Sequence, residues 1–272
     1  MYLGIDIGGT KTLVACLNDK GVVTESHKFL TPKKYPEFLK ELSVTVADLS
    51  TKEFRASGVA APGKIDRKHG VAQDFGNLPW KDVPIERDLE RIVKCPVVLE
   101  NDANLAGLSE ALLLKQHDCV LYVTISTGIG TGIITHQQID PEFADSEGGH
   151  ILLEHQGKLQ LWESFASGKA IVRRFGKLAS EITDEKTWKI ITRDIALGLY
   201  DLTAVIQPDA VVLGGGVLAH FDKFDDLLIK QLKEFATPLT PIPPIYRAKR
   251  PDEAVIFGCY VIAKRKYGNA HQ

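Results

Sequence analysis

The residues best suited to chemistry lie near the start of the chain, around Gly8 and Gly9. Asp6 ends an apolar run just before these glycines, and Thr10 and Lys11 follow them. Glycines at a tight turn let backbone N–H groups approach an anion closely, and Lys11 adds a positive charge. A carboxylate at a strand end suits Mg²⁺, which keeps several waters when a protein binds it. This composition predicts a phosphate site, with Asp6 holding magnesium through water.

The sequence around Gly9 is close to the Walker phosphate-binding pattern but differs from it at Thr10. That pattern also requires a helix after the loop. Here the apolar run 13–17 is followed by a polar turn and a third apolar run at 22–29. These runs predict β-strands joined as hairpins. An alternative is that the glycine pair is only a hairpin turn.

A second glycine- and threonine-rich turn occurs close to half-way along the chain. The apolar run 119–125 is followed by the turn 126–132, which contains Thr127, Gly128, Gly130 and Thr131. Another apolar run at 133–135 follows, so the strand–turn–strand order of the opening segment is repeated. Two halves that each open with such a hairpin predict a duplicated fold with a nucleotide in the cleft between halves. A chance glycine-rich hairpin is the alternative.

Two further stretches carry polar residues at positions suited to ligand binding. Asn101 and Asp102 lie between a predicted strand at 96–99 and a predicted helix at 103–115. Asp102 could cap that helix, or it could be a rigidly held catalytic carboxylate at a strand end. Asn77 and Trp80 lie in the loop-rich segment 64–83, where an amide and an aromatic ring could bind a sugar. An asparagine in a turn is also common, so this segment alone decides nothing.

Composition and charge exclude several classes of protein. The 272 residues are 44% hydrophobic and 25% charged, with a net charge of −2, as in an ordinary soluble globular protein. This balance gives no reason to expect nucleic acid or a membrane surface as a partner. No apolar run approaches the roughly 20 residues of a membrane span, and we expect no signal peptide. The four scattered cysteines are expected to be small core residues of a cytoplasmic protein.

The remaining periodicity predicts an α/β protein of two domains. Residues 54–61, 151–153 and 210–213 are predicted strands, and the predicted helices cover residues 36–49, 85–93, 169–178, 188–206, 222–235 and 252–267. The glycines at 214–216 lack the spacing of a dinucleotide fingerprint. We expect an N-terminal domain over residues 1–115, with a C-terminal helix at 252–272 packing back on it, and a second domain over residues 116–251.

Taken together, the motifs resemble those of the ROK family of sugar kinases. They are found in the family's order at residues 6–11 (DIGGTK), 77–79 (NLP), 100–103 (ENDA), 127–132 (TGIGTG), 147–150 (EGGH), 163 (E) and 213–217 (LGGGV). Because they span nearly the whole chain, the resemblance is specific. It implies the actin-like sugar-kinase fold of two domains, with ATP and Mg²⁺ in the cleft.

The resemblance also implies roles for individual residues. Asp102 would be the catalytic base, and the hexose would be surrounded by Asn77, Asn101, Asp102, Glu147, His150 and Glu163. The nucleotide would contact Gly8, Gly9, Thr10, Lys11, Thr127, Gly128, Gly130, Thr131, Gly214, Gly215 and Gly216. These roles agree with phosphoryl transfer, which depends on positioning and on electrostatic stabilisation of the phosphoryl oxygens.

The chain departs from the family pattern after His150. Relatives usually carry a C-x-C-G-x-x-G-C zinc cluster before the following glutamate, whereas residues 151–162 contain no cysteine. His155 is a nearby candidate ligand, but two histidines do not make a closed tetrahedral zinc site. The sequence therefore predicts no structural zinc. Leu159, Leu161 and Trp162 are expected to pack behind the binding strand and hold His150 instead.

The activity implied is phosphorylation of a hexose by ATP, with glucose as the first choice. N-acetylmannosamine, fructose or allose as the acceptor and polyphosphate as the donor are the alternatives, since some short zinc-free relatives use polyphosphate. A catalytically inactive sugar sensor is an alternative of another class. The expected partners are a hexose and a nucleotide, without nucleic acid or membrane, and we expect a homodimer.

Overall fold

The computed structural model describes residues 1–218, 224–250 and 253–268. The first half contains the strands and helices β1 (Tyr2–Ile7), β2 (Lys11–Leu17), β3 (Val23–Leu30), α1 (Tyr35–Asp48), β4 (Ser57–Ala61), β5 (Lys64–Asp66), β6 (Val71–Asp74), β7 (Lys81–Val83), α2 (Ile85–Val93), β8 (Val97–Asn101) and α3 (Asp102–Ala111). The second half continues with β9 (Cys119–Ile125), β10 (Ile129–Thr135), β11 (Gln138–Ile139), β12 (Leu152–His155), β13 (Lys158–Leu161), α4 (Trp162–Ala166), α5 (Gly168–Phe175), α6 (Glu185–Ile206), β14 (Ala210–Gly214), α7 (Asp225–Phe235), β15 (Ile245–Arg247) and α8 (Ala254–Tyr267).

The chain forms two compact units. Unit 1 comprises Met1–Ser109 and Asp252–Gln272, and unit 2 comprises Glu110–Pro251. The boundary between the units lies inside α3. The predicted division, after residue 115, lies a few residues later in the chain than this boundary.

The sheet of unit 1 has the strand order β3-β2-β1-β4-β8. The first three strands form two antiparallel hairpins, whereas β1, β4 and β8 run parallel to one another. Every residue of β4 is buried, as expected for a strand covered on both faces. Helix α8 lies against this strand, where a Cβ on Gly58 would be 2.0 Å from the carbonyl oxygen of Cys259. Gly58 therefore permits a close approach of the helix to the sheet.

The sheet of unit 2 has the order β11-β10-β9-β14-β15. Strands β9 and β10 form an antiparallel hairpin, and β9, β14 and β15 run parallel. The predicted duplication is confirmed, because each unit opens with a glycine-turn hairpin and continues with parallel strands. The core of unit 2 includes the fully buried Trp162 and the stacked rings of Trp188 and Phe224, whose centroids lie 4.7 Å apart.

Three segments differ from the predicted elements because short strands carry too few residues to show a period. The segment 64–83, predicted to be loop-rich, contains the three-stranded sheet β5-β6-β7. The interval 151–162 contains the antiparallel hairpin β12–β13, and the proline-rich connection after α7 leads into β15. Residues 222 and 223 of one predicted helix, and residues 252 and 269–272 of another, lie outside the described residues.

All four cysteines are unpaired, and Cys16, Cys95 and Cys259 are buried, which confirms the prediction of core residues for these three. Among the described residues, none of the helices combines the length and the apolar character that crossing a lipid bilayer requires.

Candidate active site

The parallel strands of unit 1 bring two carboxylates to one edge of the sheet. Asp6 is the penultimate residue of β1, and Asp102 directly follows β8. Because β1, β4 and β8 are parallel, their carboxyl ends meet at the same edge, which is where open α/β sheets place ligands. Both acids are half-buried. The predicted catalytic and metal-binding residues therefore share one edge.

The Gly8–Gly9 turn closes the β1–β2 hairpin next to these acids. The Gly8 N–H donates to the carbonyl oxygen of Lys11 at 3.0 Å, and the Thr31 hydroxyl donates to the Gly8 carbonyl at 2.7 Å. A Cβ on Gly9 would lie 2.8 Å from the Cβ of Asn77. Asn77 therefore packs directly on the turn, so a predicted sugar-binding residue adjoins the predicted phosphate site.

Asp6 has an unusual electrostatic environment. Burial, together with the nearby Asp102 carboxylate, raises its pKa from the ordinary value of 3.8 to about 7, against an opposing effect of Lys28. A cation at this carboxylate would favour the ionised form and offset part of the burial penalty. This chemistry fits a Mg²⁺ ion bound with some of its waters.

We expect replacement of Asp6 with asparagine to weaken the Mg²⁺ dependence of the reaction and leave the sugar KM unchanged. In the wild type, Mg²⁺ affinity should rise as pH increases through about 7, because Asp6 must lose its proton first. Rates measured over a grid of Mg²⁺ concentrations and pH values give both quantities.

Thermal melts provide a second measurement on Asp6. Its pKa is raised in the folded state, so its contribution to stability is complete below pH 3.8 and is lost as pH rises through about 7. The Tm of the wild type should therefore fall relative to that of the Asp6→Asn variant as pH rises from 3.8 to about 7, and the difference should stay constant above that pH. A Tm difference that does not change between pH 3.8 and about 7, or a changed sugar KM with an unchanged Mg²⁺ titration, would contradict this role.

Asn101, rather than Asp102, makes most of the capping contacts of α3. Its side-chain oxygen accepts hydrogen bonds from the N–H groups of Ala103 at 2.9 Å and Asn104 at 3.3 Å. Its side-chain nitrogen donates to the Gly63 carbonyl at 3.2 Å. Asp102 makes one comparable contact, from the Ala103 N–H at 2.8 Å. Asn101 thus makes most of the capping contacts that the sequence offered as one of two alternatives for Asp102.

The pKa of Asp102 is raised by burial, and the hydrogen bond from the Ala103 N–H opposes that rise. A raised pKa makes the carboxylate a better proton acceptor near neutral pH. The backbone of Asp102 is fixed at the first residue of α3, so its carboxylate has a defined position at the sheet edge.

Glu100, which is buried, and Arg67, which is partly buried, form an ion pair that sequence reasoning missed. The Arg67 guanidinium donates to Glu100 through Nε at 2.8 Å and through Nη2 at 2.6 Å. Glu100 Oε1 also accepts from the Asn101 N–H at 2.7 Å and from Asn104 Nδ2 at 3.0 Å. The pair therefore anchors the backbone that presents Asp102. One sign of this pair was present in the sequence, the charged residue Glu100 at the end of an apolar strand. Arg67 had no such sign, because it lies in a segment without a motif.

Trp80 is buried, which disfavours the alternative that its ring binds a sugar. Its ring is 3% exposed and packs against Phe38 and Phe75, with centroids 4.8 and 4.9 Å away. Its Nε1 donates to the carbonyl oxygen of Lys33 at 2.9 Å. The indole is part of the core of unit 1 because this aromatic cluster removes its apolar area from water.

Unit 2 contains a groove of about 430 Å³ beside its own glycine turn. It is lined by Ser126, Thr127, Gly168, Lys169, Val172, Leu178, Ala179, Ser180, Gly216 and Val217. The N-terminus of α5 meets the turn there, since the Gly168 N–H donates to the Ser126 carbonyl at 2.7 Å. Apolar walls next to backbone polar groups suit a nucleotide base and its phosphates.

The glycines after β14 lie at the side of this groove. Gly215 has a φ of +94°, and a Cβ there would be 2.4 Å from the carbonyl oxygen of Ile125. Gly214 ends β14 and packs on Tyr122, whereas Gly216 lines the groove and has space around it. Of the three predicted nucleotide-binding glycines, Gly216 lines the groove, Gly215 forms the turn and Gly214 ends the strand.

Thr131, which was predicted to lie in the turn, lies in β10 and has a structural contact. It is 6% exposed, and its hydroxyl accepts from the Gly148 N–H at 3.0 Å. Thr131 therefore fixes the segment that carries Glu147 and His150. Gly130 lies in β10 beside it, while Thr127 and Gly128 form the turn itself.

Unit 2 brings His150 and Glu163 together. His150 Nε2 lies 3.5 Å from Glu163 Oε1, and the two side chains are 55% and 33% exposed. Glu163 Oε2 also accepts from the Ile129 N–H at 3.3 Å, so this carboxylate adjoins the glycine turn. Glu147 is exposed on the same segment as His150. The Glu163 carboxylate can accept hydrogen bonds and the His150 imidazole can donate one, so this solvent-accessible pair suits the hydroxyls of a polyol.

The predicted packing behind His150 is wrong for two of its three residues. Leu159 is 73% exposed and Leu161 is 37% exposed, because they lie on the outer face of the β12–β13 hairpin. Trp162 is fully buried as expected. Within residues 1–218, 224–250 and 253–268, no group of three or more histidine, cysteine, aspartate or glutamate side chains could hold a metal ion. The absence of structural zinc stays a prediction.

The two matching sheets, each opened by a glycine hairpin, define the actin-like ATPase fold of sugar kinases. The sequence model of the ROK family matches residues 2–266, and the chain therefore belongs to the ROK family.

Individual relatives align over almost the full length of the chain. The glucokinase of Streptomyces coelicolor is 26% identical, covering 97% of this chain and 98% of that protein. The N-acetyl-D-glucosamine kinase of Haemophilus influenzae is 29% identical, covering 95% and 97%. A crystal structure of a ROK family glucokinase from Streptomyces griseus with glucose and AMPPNP has a TM-score of 0.83 at 26% identity, covering 97% of this chain and 99% of that one.

Proposed function

We propose that this protein is a hexose kinase that transfers the γ-phosphate of ATP to a sugar hydroxyl, with glucose as the preferred acceptor. The observation that carries this proposal is the pair of half-buried acids, Asp6 and Asp102, at one sheet edge beside the Gly8–Gly9 turn. A site for phosphate and cation next to a general base suits phosphoryl transfer to an alcohol. The glucokinases among the relatives favour glucose.

Asp102 is the base in this proposal. As the sugar oxygen bonds to the γ-phosphorus, its O–H proton passes to the Asp102 carboxylate and the bond to the leaving diphosphate breaks. Burial keeps the pKa of Asp102 above its ordinary range, so the carboxylate can accept that proton late in the step. The Glu100–Arg67 pair keeps the carboxylate in place.

The Gly9 N–H and the Lys11 ammonium supply donors for the phosphates, whereas the Gly8 N–H closes the hairpin by donating to the Lys11 carbonyl. The adenine fits the groove of unit 2, next to Thr127 and Gly216. Asp6 would hold Mg²⁺, which when bound neutralises negative charge on the phosphoryl oxygens. The resemblance to a glucokinase solved with AMPPNP supports ATP as the donor.

Asn77, Glu147, His150 and Glu163 are the proposed ligands of the sugar hydroxyls. Replacing His150 with alanine should raise the sugar KM by about 2- to 10-fold, the usual worth of one hydrogen bond. The ATP KM should stay at its wild-type value, because the histidine makes no proposed contact with the nucleotide. Steady-state kinetics with each substrate varied in turn measure both constants.

The matched control is His136→Ala. His136 is also an exposed histidine of unit 2 paired with a carboxylate, Asp118, at 3.6 Å. It lies outside every proposed binding segment, so its loss should change neither constant. Equal effects of the two substitutions, or no effect of His150→Ala on the sugar KM, would remove His150 from the site.

The overall proposal is tested with a panel of hexoses assayed with ATP and with polyphosphate side by side. Glucose with ATP should give the highest kcat/KM, above fructose, allose, N-acetylmannosamine and N-acetylglucosamine. A higher value for another sugar or for polyphosphate would correct the substrate. Sugar binding without phosphorylation under every donor would identify a sensor and refute the kinase. The homodimer and the cytoplasmic location stay predictions.

A further inference from the structure

The β12–β13 hairpin carries a buried histidine that the proposed reaction does not use. The His155 side chain is 10% exposed and its Nε2 lies 3.2 Å from Oδ1 of Asp194, which is 6% exposed on α6. The imidazole stacks on the Phe165 ring with a centroid distance of 4.1 Å and an interplanar angle of 8°. Gln160 Nε2 lies 3.5 Å from His155 Nδ1, which suits an Nε2–H tautomer that donates to Asp194.

The carboxylate of Asp194 also accepts a hydrogen bond from α5. Arg174 Nη1 donates to Asp194 Oδ2 at 2.6 Å and to the backbone carbonyl of Phe165 at 2.5 Å. The Asp194 carbonyl in turn accepts from the Trp162 indole Nε1 at 2.9 Å. We call His155, Asp194 and Arg174 the buried triad. Through these contacts it touches α4 at its first residue and again at Phe165.

Helix α4 is only five residues long and bears Glu163 between those two contacts. A helix this short gains little stability from its own hydrogen bonds, so neighbouring side chains determine its orientation. Turning α4 would move the Glu163 carboxylate away from His150 Nε2, 3.5 Å distant, and from the Ile129 N–H. The geometry of the sugar-binding pair therefore depends on what holds α4.

The composition of the triad favours a positioning role over simple stabilisation. Taking an aspartate and an arginine out of water is costly, and apolar side chains of similar volume often stabilise a fold equally well or better. Hydrogen bonds, unlike apolar contacts, impose a direction as well as a distance. A directional clamp on α4 restricts both the rotation and the translation of Glu163.

We propose that His155, Asp194 and Arg174 are positioning residues that hold α4 and thereby set the Glu163 carboxylate for sugar binding. The proposal rests on the proposed function only where it assigns a sugar ligand to Glu163. The triad spans the hairpin, α5 and α6, so it joins three elements of unit 2 around the sugar-binding segment.

The first test is a double-mutant cycle between Asp194→Asn and Glu163→Gln. Asp194→Asn should lower kcat/KM for the sugar by about 10- to 100-fold, the scale expected when a binding group is misplaced. The nucleotide KM should stay unchanged. In the Glu163→Gln background the same substitution should have little further effect, because Asp194 acts through Glu163. Fully additive losses would overturn the proposal.

Leu228→Ala is the control for general destabilisation. Leu228 is a fully buried core residue of α7, so its truncation lowers the stability of the same unit without touching the triad. It should lower Tm with little change in sugar kcat/KM. If it reduces sugar kcat/KM as much as Asp194→Asn at equal loss of Tm, the triad is only structural.

Amide hydrogen exchange without sugar separates this proposal from the proposed function. Residues 162–166 should exchange faster in Asp194→Asn than in Leu228→Ala, and equal rates would overturn the positioning role. A wild-type protein that phosphorylates no hexose would refute the kinase but leave this measurement valid. If Asp194→Asn does not fold, His155→Phe keeps an aromatic ring against Phe165 and removes the ring-nitrogen contacts to Asp194 and Gln160. It should give the same pattern with smaller changes, and wild-type exchange and kinetics in this variant would overturn the proposal.

Discussion

Replacing Asp102 with asparagine is expected to lower kcat by roughly 10²–10⁴-fold, the usual contribution of a general base. Asparagine keeps the shape and most hydrogen bonds of the side chain but cannot accept the proton of the sugar hydroxyl. The fold should tolerate the change, because burial already disfavours the charged form of Asp102 and Asn101 makes most of the capping contacts of α3. Steady-state rates and thermal melts of the purified variant measure the two effects.

Asp184→Ala is the control that measures the effect of losing a helix-capping residue in this protein. Asp184 is the cap of α6, and its side chain accepts from the Thr187 N–H at 2.8 Å. Its replacement should lower Tm and leave kcat unchanged. If Asp102→Asn behaves in the same way, with a lower Tm and a normal kcat, Asp102 is a cap and another residue is the base.

Replacing Arg67 with alanine is expected to cause a large loss of stability. Glu100 would remain nearly buried, with a side chain 9% exposed, but without its bidentate partner. Removing one member of a buried pair costs about 3–5 kcal/mol, and we expect about 3 kcal/mol because Glu100 keeps two other donors. The activity should fall as well, since the backbone before Asp102 is hydrogen-bonded to Glu100. Chemical denaturation gives the free energy of unfolding.

The exposed pair Arg87–Asp88 supplies the matched control in unit 1. Arg87 Nη2 and Asp88 Oδ1 lie 2.9 Å apart, a distance similar to that in the Arg67–Glu100 pair. The Arg87 side chain, however, is 60% exposed. Surface pairs contribute little, so Arg87→Ala should change neither stability nor activity. Similar losses for Arg67→Ala and Arg87→Ala would show that Glu100 does not depend on its partner.

Much of the fold could be predicted from the sequence because long elements have clear periods. Helix α2 was predicted at its observed bounds, and the two glycine hairpins were predicted from apolar runs on either side of a glycine turn. The short strands β5 to β7 and β13 were missed, and β12 was predicted only in part, as a strand over residues 151–153. With three or four residues each, they are too short to alternate recognisably, and their pairing partners define them.

By itself, the sequence determined which residues are available for chemistry and the family to which they belong. Asp6, the glycine turns and Asp102 could be recognised because each lies at the end of an apolar run, where backbone geometry and residue type coincide. Tertiary structure decided which side chains act on them. Arg67 meets Glu100 across 33 positions of the chain, and His155 meets Asp194 across 39, so no local pattern could reveal either contact. Burial likewise moved Trp80 into the core and left Leu159 in solvent, because the exposure of a side chain depends on what packs over it.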